Sequence, residues 1–416
     1  MDMKSPTALD DTAAQFDSDA GSLTMATTIV CAIACGLSVA NIYYAQPLLD
    51  AMSRDFAIAP ATIGLVITVT QVGYAVGLIF IVPLGDLIAP RRLVVGQTAL
   101  SAVALAIVGT ARTESVLFAG MITVGLLAVV VQVLVVFAAN LAAPCKRGQT
   151  VGTITSGVVV GILASRFTSG LLADLGGWRS VYLTSAALSA ALALILFSVL
   201  PRSTAVSNAN SYLGTLRSIP KLFVHDPVLR VRGALALLIF ATFSTLWTAL
   251  VLPLSTKPFG FSHTEIGAFG LAGVAGALAA SGAGRLADRG LEHWTTGIAL
   301  ALLLSSWALI AMLPVSIPAL IGGVILLDLA VQAVHVTNQS IIFSAYPQAR
   351  SRLVGGYMAF YSAGSALGAI ASTTAFAYTG WRGVSGLGAF FSATALIVWA
   401  CARHDASLRN SRSYSH

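Results

Sequence analysis

Charged residues are scarce in this sequence of 416 residues. Only 9% of the residues are charged and 57% are hydrophobic, whereas soluble globular domains carry about 25% charged residues. A soluble protein of this size could not cover so much apolar surface, so most of the chain is predicted to lie in lipid. A helix that crosses a bilayer needs about 20 apolar residues. Twelve such helices with short connections would occupy nearly the whole chain.

Three further absences exclude other kinds of membrane or secreted protein. The long apolar runs, such as 181–200, lack the two-residue alternation of a barrel strand, which leaves helices as the way to satisfy the backbone in hydrocarbon. Residues 1–22 are polar and acidic rather than basic, unlike a signal peptide, so the run from Met25 is expected to be a permanent span. The four cysteines follow neither a disulfide framework nor a zinc pattern.

The usual sequence signs of an enzyme are also missing. There is no phosphate-binding glycine loop with lysine, no HExxH and no nucleophile elbow. We therefore predict no catalytic activity, no cofactor and no metal site. The net charge of +7 does not indicate nucleic acid as a partner, because the basic residues stand in pairs between apolar runs and form no stripe.

Twelve apolar segments are predicted to cross the membrane. The predicted spans are 24–46, 62–84, 93–111, 115–141, 150–173, 180–200, 231–253, 264–284, 295–313, 317–342, 353–376 and 382–401. With the N-terminus in the cytoplasm, 17 of the 23 Lys and Arg residues lie on the cytoplasmic side, five on the other side, and Arg166 inside a span. Lys and Arg concentrate on the cytoplasmic side of membrane proteins. We therefore expect a bacterial inner-membrane protein with both termini in the cytoplasm.

The two halves of the chain repeat each other at an offset of 203 residues. Arg147 matches Arg350, Gly161 matches Gly364, and the triplet 177–179 (Gly-Trp-Arg) recurs at 380–382. Such a repeat predicts two six-helix bundles related by an axis along the membrane normal, with a solute site between them near the midplane. The predicted units are an N-terminal tail (1–22), two bundles (23–200 and 231–402), a cytoplasmic linker (201–230) and a C-terminal tail (403–416). The linker would be either an amphipathic helix on the inner leaflet or a plain solvated connection.

One loop carries the resemblance to a known family. The segment Gly284-Arg-Leu-Ala-Asp288-Arg289 matches the first part of the pattern Gly-x3-Asp-Arg-x-Gly-Arg-Arg. The copy in the first half departs from it, with Val82 at the glycine and Leu87 at the first arginine. On these residues the chain resembles the major facilitator superfamily over essentially its whole length. The resemblance implies a conformational latch formed by Asp86, Arg91, Arg92, Gly284, Asp288 and Arg289.

A second motif resembles one branch of that superfamily. The fifth span reads Gly157-x3-Gly161-x3-Ser165-x3-Ser169, and small residues at this spacing let helices approach closely. The motif is similar to the glycine-rich fifth span of the drug:proton antiporters with twelve helices. Ile162 stands where that branch has proline, and Met121 lies near the position of its fourth-span arginine. The resemblance implies a monomeric transporter of a small molecule, coupled to protons.

Three ionisable residues inside the predicted spans are candidates for proton coupling: Asp328, His335 and Arg166. Ionisable groups within hydrocarbon are costly and are functional candidates by default. Burial disfavours the charged form of a carboxyl, so Asp328 could take up and release a proton as its access to water changes. His335 titrates near neutral pH and shares a helix face with Asp328, although it could be a hydrogen-bonded structural group. Arg166 could instead be tied to helix-end carbonyls or to Asp174.

Polar and aromatic side chains in spans one, four, seven and ten are candidates to line a substrate cavity. They are Asn41, Tyr43, Tyr44, Gln46, Gln132, Asn140, Thr245, Trp247, Gln332 and Asn338. Such side chains suit small amphipathic or polar solutes, although each of them could serve helix packing alone. The sequence thus predicts a secondary active transporter that exports a small organic solute in exchange for protons. An uptake symporter or a uniporter is the alternative.

Overall fold

The structure is a computed structural model that describes residues 24–142, 146–201, 223–273, 291–345 and 350–413. All regular structure in these ranges is helical. In the first half the α-helices are α1 (Met25–Tyr43), α2 (Leu49–Phe56), α3 (Leu65–Phe80), α4 (Pro90–Gly109), α5 (Glu114–Leu127), α6 (Val130–Leu141), α7 (Arg147–Gly176) and α8 (Trp178–Val199). In the second half they are α9 (Pro227–Ala249), α10 (Val251–Leu254), α11 (His263–Ala268), α12 (Glu292–Ile310), α13 (Ile317–Ala345) and α14 (Arg350–Ser413).

The described helices confirm the predicted all-α membrane fold of two six-helix bundles. Ten described segments are long and apolar enough to cross a membrane. The last of them, Leu353–His404, contains two predicted spans, because the backbone leaves the helical conformation at Gly380. The eighth predicted span is described as far as residue 273, in α11 and the 3-10 helix Phe269–Gly273. Most of the predicted linker (202–222) lies outside the described residues, so the unit boundaries stay predictions.

Equivalent glycines of the two repeats hold equivalent helix pairs together. A Cβ on Gly161 of α7 would lie 2.2 Å from the carbonyl oxygen of Gly36 in α1. A Cβ on Gly364 of α14 would lie 2.0 Å from the carbonyl oxygen of Leu237 in α9. Each approach is closer than any larger residue allows, so both parallel pairs depend on glycine. The offset of 203 residues therefore corresponds to a repeated helix contact.

A second pair of equivalent glycines reverses the chain. Gly177 between α7 and α8 has a φ of 77°, and Gly380 within α14 has a φ of 63°. Positive φ is strained for residues with a Cβ. The indole of the tryptophan after each glycine is anchored: Trp178 donates to Asp55, and Trp381 donates to the carbonyl of Ile310. One glycine thus joins two long antiparallel helices in each half.

The two halves pack closely at the end of the bundle opposite Met25, which we call the distal end. There, a Cβ on Gly64, the residue before α3, would lie 2.5 Å from the carbonyl oxygen of Ala369 in α14. The hydroxyl of Thr68 donates to the carbonyl of Ala366 over 2.9 Å. On the other side of the interface, a Cβ on Gly170 of α7 would lie 2.1 Å from the His263 carbonyl oxygen. These backbone contacts close the interface at its distal end.

Candidate functional site

Arg166 lies deep in the interface between the halves and is 2% exposed. Its Nε donates to Oε1 of Gln46 over 2.7 Å. Three rings surround its guanidinium, with centroids 4.0 Å (Trp247), 5.0 Å (Tyr43) and 5.5 Å (Phe243) from Cζ. Cation–π contacts of this kind hold a guanidinium in place. Nη2 is buried and has no hydrogen-bond partner in the described part of the chain.

Asp328 reaches the same region from α13 of the second half and is 5% exposed. Its Oδ1 accepts a hydrogen bond from Nε1 of Trp247 over 3.1 Å. Trp247 therefore contacts both charged groups, with its ring against Arg166 and its N–H on Asp328. No nitrogen of Arg166 lies within 4.0 Å of the Asp328 carboxylate in this conformation, as far as the described residues show. One indole thus stands between a cation from the first half and a carboxyl from the second.

The backbone of the second half forms one wall of this region. A Cβ added to Gly267 would lie 2.2 Å from the carbonyl oxygen of Arg166, and one added to Gly270 would lie 3.1 Å from the Cβ of Arg166. A Cβ added to Gly273 would lie 2.7 Å from Oδ2 of Asp328. The three glycines are three residues apart at the start of the eighth predicted span, where the helix tightens to 3-10 geometry. Any larger side chain would intrude on the two charged groups.

A small cavity, with room for about one water molecule, lies beside Arg166. Gln46, Arg166 and Trp247 supply its polar and aromatic lining. Pro47, Leu250, Val251 and Ile266 supply the apolar lining. Sites for drug-sized ligands are far larger, so the cavity is nearly closed in this conformation.

The cavity lies beneath a charged cluster at the distal end. His263 begins α11, and its Nε2 lies 3.1 Å from Oδ1 of Asp50, while its Nδ1 lies 3.0 Å from Oδ1 of Asp174. Arg54 also binds Asp50, over 3.0 Å. The hydrogen bond to Asp50 and the negative charge of both carboxylates raise the pKa of the His263 imidazole above its ordinary value, against the opposing effect of burial. One histidine of the second half thus ties two carboxylates of the first.

A family model decides the identity of this architecture. The model described as Major Facilitator Superfamily matches residues 29–309 and again residues 233–414. The chain belongs to the major facilitator superfamily. Among curated relatives, an uncharacterized transporter of Escherichia coli O157:H7, YgaY, is 45% identical over 377 residues, which are 91% of this chain and 95% of that protein. A probable transporter of Streptomyces coelicolor is 31% identical and covers 85% of this chain and 82% of its own length.

Solved structures of superfamily transporters share the fold. A bacterial homolog of the human lysosomal transporter Spinster, in an inward-facing and occupied conformation, has a TM-score of 0.75 at 15% identity. That alignment covers 91% of this chain and 96% of the other. The nucleoside transporter NupG has a TM-score of 0.71 at 14% identity and covers 90% and 99%. This superfamily member is therefore a multi-pass membrane transporter.

The structure brings together only some of the predicted site residues. Gln46, Trp247 and Arg166 line the cavity, and Asp328 accepts a hydrogen bond from Trp247 behind it. Tyr43 stacks on Arg166 and hydrogen-bonds Tyr361 of α14. The other predicted cavity residues do not line this cavity. Asn41 accepts a hydrogen bond from the hydroxyl of Ser185, and Tyr44 is buried next to Ser185. Gln132 donates a hydrogen bond to the hydroxyl of Tyr74, and Thr245 donates one to the carbonyl of Ala241. Gln332 is half-buried, and Asn140 is exposed at the end of α6.

His335 and Asn338 form a separate polar cluster within the second half. His335 contacts the hydroxyl of Tyr357 over 3.0 Å and Nε2 of Gln339 over 3.3 Å. Asn338 accepts from Arg232 over 3.1 Å. His335 shares a helix face with Asp328, but seven residues of α-helix separate the two by about 10 Å along the axis. His335 therefore lies in a hydrogen-bonded cluster apart from Asp328.

The predicted alternative for Arg166, a tie to Asp174, is not what the structure shows. Asp174 instead accepts from the backbone N–H groups of His263 and Thr264 and contacts the His263 ring. Of the predicted latch, Arg91 contacts the carbonyl and ring of Phe197 at the end of α8, and Arg92 is exposed. The Asp86 side chain, Gly284, Asp288 and Arg289 lie outside the described part of the structure. The latch stays a prediction.

Sequence reasoning missed the distal cluster and the glycine wall. Asp50, Asp174 and His263 lie at the ends of three predicted spans, where charged residues are ordinary, so nothing in the sequence pairs them. The wall did leave a signal, because Gly267, Gly270 and Gly273 recur every three residues at the start of a span. That spacing indicates a helix face that must stay free of side chains.

Proposed function

We propose that this chain is a secondary active transporter that moves a small organic solute by alternating access, with Asp328 as the proton carrier. One observation carries the proposal: two buried charges, Arg166 and Asp328, come from different halves and share Trp247. Movement of one half against the other would change both their distance and their access to water. A carboxyl in that position can couple its protonation to the conformation.

We further propose that both termini lie in the cytoplasm of a bacterial inner membrane. The excess of Lys and Arg in the connections on one side supports this orientation. The distal end would then face outward, and the close contacts of Gly64 and Gly170 across the interface would close the outward side. The structure would thus be a form shut to the outside. The two bundles (23–200 and 231–402) would be the moving units, in a monomer whose latch loops stabilise the opposite state.

The direction of transport has two candidates. Export in exchange for protons follows from the resemblance to drug:proton antiporters. Uptake together with protons is favoured by Arg166, because a neutral Asp328 leaves a net positive site that attracts an anion, whereas a charged Asp328 offsets that charge. Proton and anion would then bind the same state, which is the requirement for symport.

Reconstituted protein tests the proposal and separates the two directions. Solutes that stabilise the purified protein against heat, selected from a library of metabolites and antibiotics, would be offered outside proteoliposomes. Antiport predicts that an acidic interior drives accumulation, and symport predicts that an acidic exterior does so. Asp328→Asn should abolish either response and Asp328→Glu should retain part of it. Glu114→Gln, which removes an exposed carboxyl, is the matched control. Flux that ignores both gradients in the wild type and is unchanged in Asp328→Asn would refute proton coupling.

A further inference from the structure

We propose that the cavity beside Arg166 binds a small organic anion with an apolar body, whose acidic group is held by the Arg166 guanidinium. The inference rests on the transport function proposed above and names the class of its substrate. It begins from an unused donor. Arg166 is 2% exposed, and its buried Nη2 has no partner among the described residues. A buried donor without an acceptor is costly, and a bound anion would supply the acceptor.

The surroundings of Arg166 leave the edge of the guanidinium available. Its described contacts are one hydrogen bond to Gln46 through Nε and three aromatic rings. Rings at these distances interact with the face of the guanidinium, whereas carboxylates bind its edge, often through two parallel hydrogen bonds. The described salt bridges include none to Arg166. The guanidinium of Arg166 is therefore held in position, and the Nη2 at its edge is free to bind a carboxylate.

The remaining walls determine the body of the ligand. Pro47, Leu250, Val251 and Ile266 are apolar and face the same cavity as Arg166. A fully polar ligand would bury these apolar side chains against polar groups, and a cationic ligand would be repelled by the positive charge of Arg166. In this conformation the cavity is little larger than a water molecule, so a ligand would enter it only as the two halves move apart. A small monocarboxylate matches both parts of the lining.

Asp328 links anion binding to protonation. A charged Asp328 on the far side of Trp247 offsets the charge of Arg166 and repels a second carboxylate, so the anion should bind more tightly when Asp328 is neutral. The other ionisable groups that face this pair are phenols, which stay neutral at ordinary pH. They are Tyr43 from α1 and Tyr361 from α14. Comparisons made in a His263→Gln background, which removes the titrating histidine of the distal end, therefore isolate the proton dependence due to Asp328.

Matched pairs of small molecules test the inference on the purified full-length protein. Sodium benzoate and sodium butyrate are compared with benzamide and butyramide, which have the same shape without the charge, in thermal unfolding at pH 6 and pH 8. Both acids stay ionised across this range. We expect stabilisation by at least one carboxylate and by neither amide, and an affinity that rises by up to tenfold per unit of falling pH. Asp328→Asn should bind the anion without that pH dependence.

Two arginine variants locate the site. Arg166→Gln should weaken anion binding roughly 10- to 100-fold, as loss of hydrogen bonds to a charged group does, and Arg166→Lys should weaken it less. Arg232→Lys is the control, since Arg232 is also buried but binds Asn338 and does not line the cavity. Equal stabilisation by amides and carboxylates, or none by any carboxylate in the wild type, would overturn the substrate class. Proton-driven flux of a neutral solute, without anion binding, would refute the anion site and leave the proton-coupled transporter standing. Anion binding without proton-driven flux would refute the proton-coupled transporter and leave the anion site standing.

Discussion

His263 offers a direct test of how the two halves are held together at the distal end. The substitution His263→Gln keeps polar groups in place and removes the positive charge. The ring lies 3.1 Å from Asp50 and 3.0 Å from Asp174, and a hydrogen bond to a charged group contributes about 1.5–3 kcal/mol when buried. The His263 side chain is 20% exposed and that of Asp174 is 28% exposed, so solvent reduces the contribution to about 1 kcal/mol. The closed population should fall about fivefold relative to the open one.

The sign of the pH dependence follows from the raised pKa of His263 in the closed form. A group whose pKa is raised by a contact favours that contact fully below its ordinary pKa, which is about 6.5. The benefit is lost as the pH rises through the raised value. The contribution of His263 should therefore open the distal end as the pH rises. In an Asp328→Asn background, which removes the proposed proton carrier, His263→Gln should abolish the remaining dependence. The charged groups that face the ring are Asp50, Asp174 and, through Asp50, Arg54.

Spin-label distances would measure the opening. Labels on cysteines at Ala59 and Lys257, which are exposed on the two halves, report the distal separation in a background free of native cysteines. His293→Gln, at an exposed histidine at the start of α12, is the control and should keep the wild-type profile. If the distances in Asp328→Asn do not change between pH 5.5 and 8.5, or if the change persists when His263→Gln is added, His263 does not control closure.

Two further predictions concern glycines and are measured by unfolding of the purified protein. Gly161→Ala should be about 1–3 kcal/mol less stable than Gly152→Ala, because both gain helix propensity but only the first forces a side chain onto Gly36. Equal stability of the two variants would contradict the close contact. Gly177→Ala and Gly380→Ala should each cost about 1–3 kcal/mol, because both positions combine positive φ with extended ψ, a conformation that suits essentially glycine alone. A neutral effect at either position would show that the reversal there does not need glycine.

The helical plan was readable from the sequence because hydrocarbon imposes it locally. The predicted spans 93–111 and 180–200 correspond to α4 and α8 with shifts of a few residues. The first span extends beyond its predicted end through a 3-10 turn at Gln46–Leu48 into α2. Pro47 explains the irregular turn, since it lacks a backbone donor. The continuation into a polar helix was not predicted because hydropathy does not detect it.

The site was predicted residue by residue but not as an arrangement. Arg166 and Asp328 stood out because a charge in hydrocarbon is costly. Their common neighbour Trp247 could not be derived, since the packing of α7 against the second half depends on contacts such as Gly267 on the Arg166 backbone. His335 was grouped with Asp328 by helical periodicity. Periodicity gives the face of a helix but not the depth along its axis, and Tyr357 meets His335 at a different depth.

The single-residue reversals at Gly177 and Gly380 limit how each half can deform. A connection of one residue has no slack, so the two helices that it joins cannot slide past each other or separate at that end. Each such helix pair should then move as one rigid body, so that a displacement at its glycine turn also moves its opposite end. Arg166 lies in the first pair and Tyr361 in the second. A displacement of either turn would therefore also move the residues at the site. An antibody fragment that binds either glycine turn should therefore trap the protein in one conformation.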